Sequence, residues 1–472
     1  MAKVGPAALT KGRFPRGFYY GPNPPAEFVA SAFDGLFCDV RAPGVHARVG
    51  RAEVAVLGRC DDVTTPVDAQ EPDAAVRLAR ALDRSDAAFF EMLDHQAGRH
   101  AVFFRTPDRQ GVLADATGCR TIFYDGDAIA SHVRLLSDAP PIDMPFGMGF
   151  PGNHTPIPGV RILTPNTLID LKTHAVSRFW PRASPPVLDL DTAQARVETF
   201  ATTALRKGPK FALGLTAGID SRTVAVAAWK AGVDVLTFTY DRGPHTHEDI
   251  AVARLLAAAL GLRHKTVLER KPTPKTRVRL KQATYYSHHL SCIEPLAEAL
   301  GRRAVASGNL LEIGRVFYAR HRRHGRDLTT PDQMAGHFYD NARPAARARF
   351  DAWGHERWMA ATTEAFAEFD AVTGFQSAAR LIDPFDLFYW EHRMGAWQSM
   401  ILLERDFYGE PYMPFNCRAI FTAMLGLPHE VREAATLFRR LIDIPELAEV
   451  PLKSSSTPSA AAIAAGPVSP AA

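Results

Sequence analysis

The stretch Phe211-Ala-Leu-Gly-Leu-Thr-Ala-Gly-Ile-Asp-Ser-Arg222 carries the clearest chemistry in the chain. An apolar run ends in a turn of small residues, and a helical pattern follows at once. Such a turn presents successive backbone N–H groups at a helix N-terminus, where the helix dipole adds partial positive charge. Its natural task is to hold an anion, and a phosphate group fits best. Asp220 places a carboxylate beside that anion, an arrangement that becomes favourable when Mg²⁺ bridges the two. The same strand–Gly turn–helix is also a plain connection in many α/β domains, so the residues alone leave both readings open. Neither G-x-x-x-x-G-K-[ST] nor a helix-opening G-x-G-x-x-G occurs at this turn.

Other polar groups carry weaker signals. Arg315 to Arg326 gathers Arg and His, which suits either an anionic ligand or a solvated helix end. Tyr285-Tyr-Ser-His-His289 and Tyr389-Trp-Glu-His-Arg393 either line a pocket or pack helices with hydrogen-bonded tips. His245, His247, His288 and His289 match no zinc spacing. The five cysteines, at 38, 60, 119, 292 and 417, form no C-x-x-C pair and read as reduced thiols.

The elements that must position these groups follow from periodicity. Residues 1–188 alternate short apolar segments with Pro, Gly and Asp, as in 52–58, 99–105, 110–115 and 121–124, with one helix expected over 73–93. This half reads as a strand-rich α+β sandwich. A Pro-punctuated connector at 181–186 leads to a helix capped by Asp191. From residue 211 the pattern predicts strand 211–215, helix 221–231, strand 233–240, helix 249–260 and strand 263–268. That is an α/β domain with a parallel sheet, whose ligands sit at the carboxyl ends of the strands. Beyond about 275 the chain reads as mostly helical, and 454–472 as a disordered Ala/Ser/Pro tail.

At 472 residues, 46% hydrophobic and a net charge of +4, the chain is long enough for several cored domains. No apolar run approaches the ~20 residues that span a bilayer. A cytoplasmic protein with neither nucleic acid nor membrane as partner is expected.

Thr216-Ala-Gly-Ile-Asp-Ser221 resembles the S-G-G-x-D-S pyrophosphate loop of the ATP pyrophosphatases, and the second half resembles the synthetase domain of the asparagine synthetase family. Leu236-Thr-Phe-Thr-Tyr240 is similar to the strand whose backbone meets adenine. Glu248-Asp249 is similar to the family's acidic pair, followed by a similar helix and L-G-x-x-H turn. Ser307-Gly-Asn-Leu-Leu-Glu-Ile-Gly314 stands where the family has G-x-G-x-D-E-x-x-G, with Glu312 as the one retained acid. Glu410-Pro-Tyr-Met-Pro-Phe-Asn416 resembles E-x-R-x-P-F-L-D, with Tyr412 in place of Arg.

The first half resembles the family's glutaminase-type domain, an N-terminal-nucleophile sandwich. The resemblance rests on residues 98–104, on Ala114-Asp-Ala-Thr-Gly-Cys-Arg-Thr-Ile-Phe-Tyr124, on Ala130-Ser131 and on residues 159–166. Such glutaminases use a Cys at position 2, where this sequence reads Met-Ala-Lys; Cys38 is its first cysteine. The resemblance therefore implies a degenerate glutaminase-like domain over 1–188 that serves as scaffold, and an ATP-pyrophosphatase domain over 189–453.

The resemblance further implies ATP and Mg²⁺ as cofactors and an AMP-forming ligase that joins a small-molecule or peptide carboxylate to an amine. Thr216, Gly218 and Ser221 would cradle the pyrophosphate, Thr237, Phe238 and Thr239 would meet the adenine, and Leu215 and Asp220 are further cofactor-binding positions. Asp220 and Glu312 would hold Mg²⁺, with Glu312 also read as a catalytic group. Lys453 stands where the family has its late catalytic Lys, and is otherwise a surface Lys. Arg222 reaches a phosphate or solvent. Asn309 stands where the β-lactam-forming branch has Tyr, which argues against that closure. A lasso-type peptide macrocyclase and an inactive scaffold that keeps the nucleotide fold are the alternatives, and a homodimer is admitted as assembly.

Overall fold

The computed structural model describes residues 12–285, 290–301, 303–323, 325 and 327–452. In the first half, short strands with alternating apolar residues stack as two antiparallel sheets of six strands each. Phe18, Leu36 and Ile129 from one sheet meet Ala55, Leu57, Phe103 and Val112 from the other in a shared core. The strand Ala52–Gly58 is buried along nearly its whole length because its second face, with Val54 and Val56, is also covered. Two helices supply that cover through Leu78, Leu82, Phe89 and Leu93. They stand where one helix was expected. Ser85 breaks the run with an extended backbone (φ −174°, ψ 159°), and its hydroxyl accepts from the Ala88 N–H to start the second helix.

The second half is a five-stranded parallel sheet flanked by helices. Its strands run in the order Arg263–Leu268, Val235–Asp241, Phe211–Gly214, Ala304–Ala306, Pro411–Tyr412. The first three strands match the predicted alternation. The helix after the first begins at Ile219, two residues early, so Asp220 and Ser221 lie in its opening turn. The helix Leu190–Lys207 is capped by Asp189, whose side chain accepts from the Thr192 N–H; Asp191 lies in its first turn. The two strands at 304–306 and 411–412 fall where mostly helix was expected. Each is too short, at three and two residues, to show a period of two.

The sheet order fixes where a ligand crevice opens. From Phe211–Gly214 the chain winds outward on one side through two strands, then returns to place Ala304–Ala306 on the other side. The loops after these two neighbouring strands diverge, and the gap between them is the topological switch point.

The halves are held together by buried, charge-assisted hydrogen bonds. Arg99 grips Asp406 through two bonds of 3.0 and 2.8 Å, with both residues almost completely buried. The Asn416 amide donates to Asp115 Oδ1 and to the Gly98 carbonyl, each at 2.7 Å. Thr117 donates to Asn416 Oδ1 at 3.0 Å, and the Trp390 indole donates to the Ala116 carbonyl at 2.6 Å. Two of the segments singled out in the sequence, 114–124 and 410–416, therefore meet each other across the joint. The bonds to Asp406 and Asp115 are to charged groups and contribute roughly 1.5–3 kcal/mol each, the neutral ones roughly 0.5–1.5 kcal/mol. Tyr412 is part of the same framework: its hydroxyl donates to the Ala204 carbonyl at 2.8 Å. No helix among the described residues is long and apolar enough to cross a membrane.

Candidate anion and metal site

The turn after Phe211–Gly214 lies at the switch point, as its sequence required. Leu215 sets its height: the Leu215 N–H donates to the Phe238 carbonyl at 2.8 Å, and Thr239 Oγ1 donates to the Leu215 carbonyl at 2.6 Å. Thr237 points to the other neighbour, with its hydroxyl on the Arg263 carbonyl and against His264 Nδ1, at 3.0 and 2.9 Å. Thr237, Phe238 and Thr239 thus spend these groups on lacing the strands together beneath the turn.

The turn itself differs from a row of open amides. The Thr216 N–H donates to Ser221 Oγ at 3.1 Å and the Gly218 N–H to Thr216 Oγ1 at 3.2 Å. The Ala217 N–H donates to Asp249 Oδ1 at 3.1 Å. The turn already holds an anion, the carboxylate of Asp249. The helix Ile219–Lys230 then starts from Gly218 with no side chain capping its first turn. An uncapped first turn leaves orphan N–H donors, which is what a phosphate needs.

The second loop approaches from the other side of the crevice. A Cβ added to Gly308 would stand 2.7 Å from the Asp220 carbonyl carbon and 2.9 Å from the Ser221 nitrogen. Only glycine lets the 307–314 segment lie this close to the helix start. The short helical turn Asn309–Gly314 then carries Glu312 toward Asp220.

Arg315 ties the two carboxylates together. Its Nη2 donates to Asp220 Oδ2 at 2.6 Å and lies 3.6 Å from Glu312 Oε1. The other oxygen of Asp220 is buried without a partner. Burial pushes the Asp220 carboxyl up to about 7; the charge of Glu312 adds to that shift, and Arg315 opposes it. The Asp220 side chain as a whole keeps 19% exposure, although that unpartnered oxygen is buried. Glu312 is steadied on its far side by the Tyr389 hydroxyl, which also lies 3.3 Å from the Asn309 carbonyl. Burial first, and then the Glu312 charge, raise the Tyr389 phenol well above its ordinary value, so it stays a neutral donor.

These groups fit a magnesium ion. Mg²⁺ is ordinarily held by one or two carboxylates together with substrate phosphates and water. An orphaned carboxylate oxygen facing a second carboxylate is the protein's share of such a site, and Asp220 with Glu312 would supply it. Among the described residues no group of three His, Cys, Asp or Glu side chains is arranged to hold a metal. The remaining ligands would have to come from phosphate and water. The Ser307 hydroxyl, at the end of the strand Ala304–Ala306, is likewise buried and unpartnered.

Sequence reasoning missed the part played by Arg315, Tyr389 and Asp249 at this site. Their positions in the second half were visible, but only the sheet order brings them within reach of the turn. Arg222 does neither of the things expected of it. It is 2% exposed and donates through its two terminal nitrogens to the Val450 and Pro451 carbonyls. It therefore anchors the chain just before Lys453, which lies outside the described residues, as do residues 286–289 of the first polar-aromatic cluster and the tail 454–472. All five cysteines are buried, and burial pushes the Cys38 thiol up to about 11. A pocket of about 440 Å³ lies beside Val187, Leu381 and Leu427. None of the residues that line it belongs to the crevice.

No family model and no curated protein matches the chain. Solved structures match it at low similarity. An NMN synthetase from Francisella tularensis is 17% identical over 28% of this chain and 59% of its own, with a TM-score of 0.20. This chain thus spans less than two thirds of that synthetase. A glutamine phosphoribosylpyrophosphate amidotransferase from B. subtilis, complexed with ADP and GMP, is 11% identical over 62% of this chain and 69% of its own, with a TM-score of 0.21. A structure described as the allosteric regulatory enzyme of purine biosynthesis is 11% identical over 62% and 84%, with a TM-score of 0.23. Similarity at this level fixes neither fold nor activity, and what those proteins bind is a property of those proteins.

Proposed function

We propose that the chain is an ATP-dependent, AMP-forming amide ligase that adenylates a carboxylate and passes the acyl group to an amine, without hydrolysing glutamine itself. The observation that carries this reading is the meeting of Asp220 and Glu312 over an uncapped helix N-terminus at the switch point of a parallel sheet. In this reading residues 1–188 are scaffold and 189–453 carry the site.

Bound Mg·ATP would supply an electrophilic phosphorus and a pyrophosphate leaving group. The chain's own contribution is preorganised electrostatics. The first-turn amides after Gly218, with the Thr216 and Ser221 hydroxyls, face the place where negative charge grows as pyrophosphate departs. Asp220 and Glu312 would hold a cation that offsets this charge. Arg315 holds the carboxylate pair together and would add a second positive group. Tyr389, a neutral donor, fixes the orientation of Glu312 throughout. Arg222 keeps the 450–452 segment against the loop helix, from which Lys453 would reach the departing charge.

Isotope exchange between pyrophosphate and ATP, screened over amino acids and other carboxylic acids, tests the reaction class. Exchange that depends on one acid and is lost in Asp220→Ala supports the ligase. Tight Mg·ATP binding with no exchange for any acid favours an inactive scaffold that keeps the nucleotide fold.

A further inference from the structure

Tyr389, Arg393 and Trp397 stand four residues apart on the π-helical stretch Tyr389–Gln398, a widened winding that is uncommon away from functional sites. The Arg393 guanidinium lies between the two rings, 5.7 Å from the Tyr389 centroid and 4.7 Å from that of Trp397, with Phe317 covering it at 4.9 Å. Its Nε is buried without a hydrogen-bond partner, Nη1 reaches the Met148 sulfur at 2.9 Å, and its other neighbours are the neutral Tyr318 and Tyr389 phenols. Three other arginines of the interior are neutralised, Arg99 by Asp406, Arg178 by Glu391 and Arg432 by Asp386, whereas the buried Arg222 meets two carbonyls instead. Among the described residues no carboxylate lies within ion-pair distance of Arg393. A guanidinium so placed has surrendered part of its hydration, and the nearest compensating charge, Glu312, acts on it from beyond ion-pair distance.

Arg393 lines a narrow cleft with Tyr318, His337, Asn341 and His392. His392 is uncharged at neutral pH, since burial lowers it to about 4. The cleft measures about 20 Å³, room for one water or a single carboxylate oxygen in its place. At its edge the Phe317 ring is 38% exposed, although it stacks on Arg393. The cleft also adjoins the proposed reaction site, because Tyr389, which contacts Arg393 on one side, holds Glu312 on the other.

We propose that Arg393 receives the carboxylate of the acyl substrate, and that the exposed face of Phe317 takes its apolar body, so the substrate is an aromatic or otherwise apolar carboxylic acid. This rests on the ligase reading, but its test contains no nucleotide and stands or falls separately. Phenylacetate and its neutral isostere phenylacetamide are titrated into the full chain, and binding is read by calorimetry and by thermal stabilisation. Saturable binding of phenylacetate at least tenfold tighter than phenylacetamide is expected. Arg393→Gln removes that preference, and Phe317→Ala weakens phenylacetate while keeping the acid-over-amide preference. Equal binding of acid and amide by the unaltered chain overturns the proposal, as does the absence of phenylacetate binding. The acid–amide comparison needs no variant, so it decides the matter even if Arg393→Gln fails to fold.

Discussion

Arg315 donates a 2.6 Å charge-assisted hydrogen bond to Asp220 and stands 3.6 Å from Glu312, so one guanidinium joins the two carboxylates. The pair joins the loops that follow two neighbouring strands, across 95 residues of sequence. The two carboxylates are therefore held together by a cationic side chain of the chain itself.

Removing that side chain leaves two carboxylates facing each other. Arg315→Ala is expected to lower the stability of the ligand-free protein by about 2 kcal/mol, as read by urea unfolding, because a part-buried charged partner is lost. Magnesium should recover part of the loss. An unchanged unfolding midpoint would show that Arg315 is not the resident counter-ion.

Asp220 also makes the site sensitive to pH. Its folded-state value is raised to about 7 from an ordinary value near 4, so the folded protein holds a proton that the unfolded chain releases. The stability this contributes is complete below pH 4 and is lost as pH rises toward 7. Cation binding needs the ionised form. Apparent Mg²⁺ affinity should therefore rise roughly tenfold from pH 6 to pH 8 and level off above. In Asp220→Asn that pH dependence should vanish. Affinity that is flat in the unaltered protein over the same range would contradict the assignment.

Arg222 offers a test of Lys453 that does not touch Lys453. Arg222→Ala frees the Val450 and Pro451 carbonyls from the loop helix. Pyrophosphate exchange should fall about tenfold or more, with Mg·ATP affinity changed less than threefold, and Lys453→Ala should reproduce that split. If both variants keep full exchange, the segment plays no part in the chemistry.

The parallel sheet was legible because its strands and helices at 211–268 are long enough to show a period, and because a small-residue turn at a strand end has few other uses. What stayed hidden depends on contacts between distant segments. Ala304–Ala306 and Pro411–Tyr412 show no strand period, yet the first of them makes the switch point. The Tyr389–Arg393 cluster left pocket and packing undecided; the contact from Tyr389 to Glu312 places it beside the proposed metal pair. Asn416 and Asp115 drew attention as motif residues, and the structure spends them on each other at the joint between the halves. The Ser85 break shows the reverse case, where a local cap divides a run that periodicity had read as continuous.

The first half supplies no reactive thiol. A buried Cys38, held protonated up to about pH 11, is poorly suited to attack an amide. Ammonia release from glutamine should stay at background, in the presence or absence of Mg·ATP, and Cys38→Ser should leave that background unchanged. Turnover abolished by Cys38→Ser would reverse this reading.

The central claim is that Asp220, Glu312 and the 216–221 turn form one Mg·ATP site. Titration calorimetry of the full chain with ATP, with and without Mg²⁺, tests it most directly. The account predicts binding that depends on Mg²⁺ and is weakened at least tenfold by either Asp220→Ala or Glu312→Ala. ATP binding that ignores Mg²⁺, or that survives both substitutions unchanged, would contradict it.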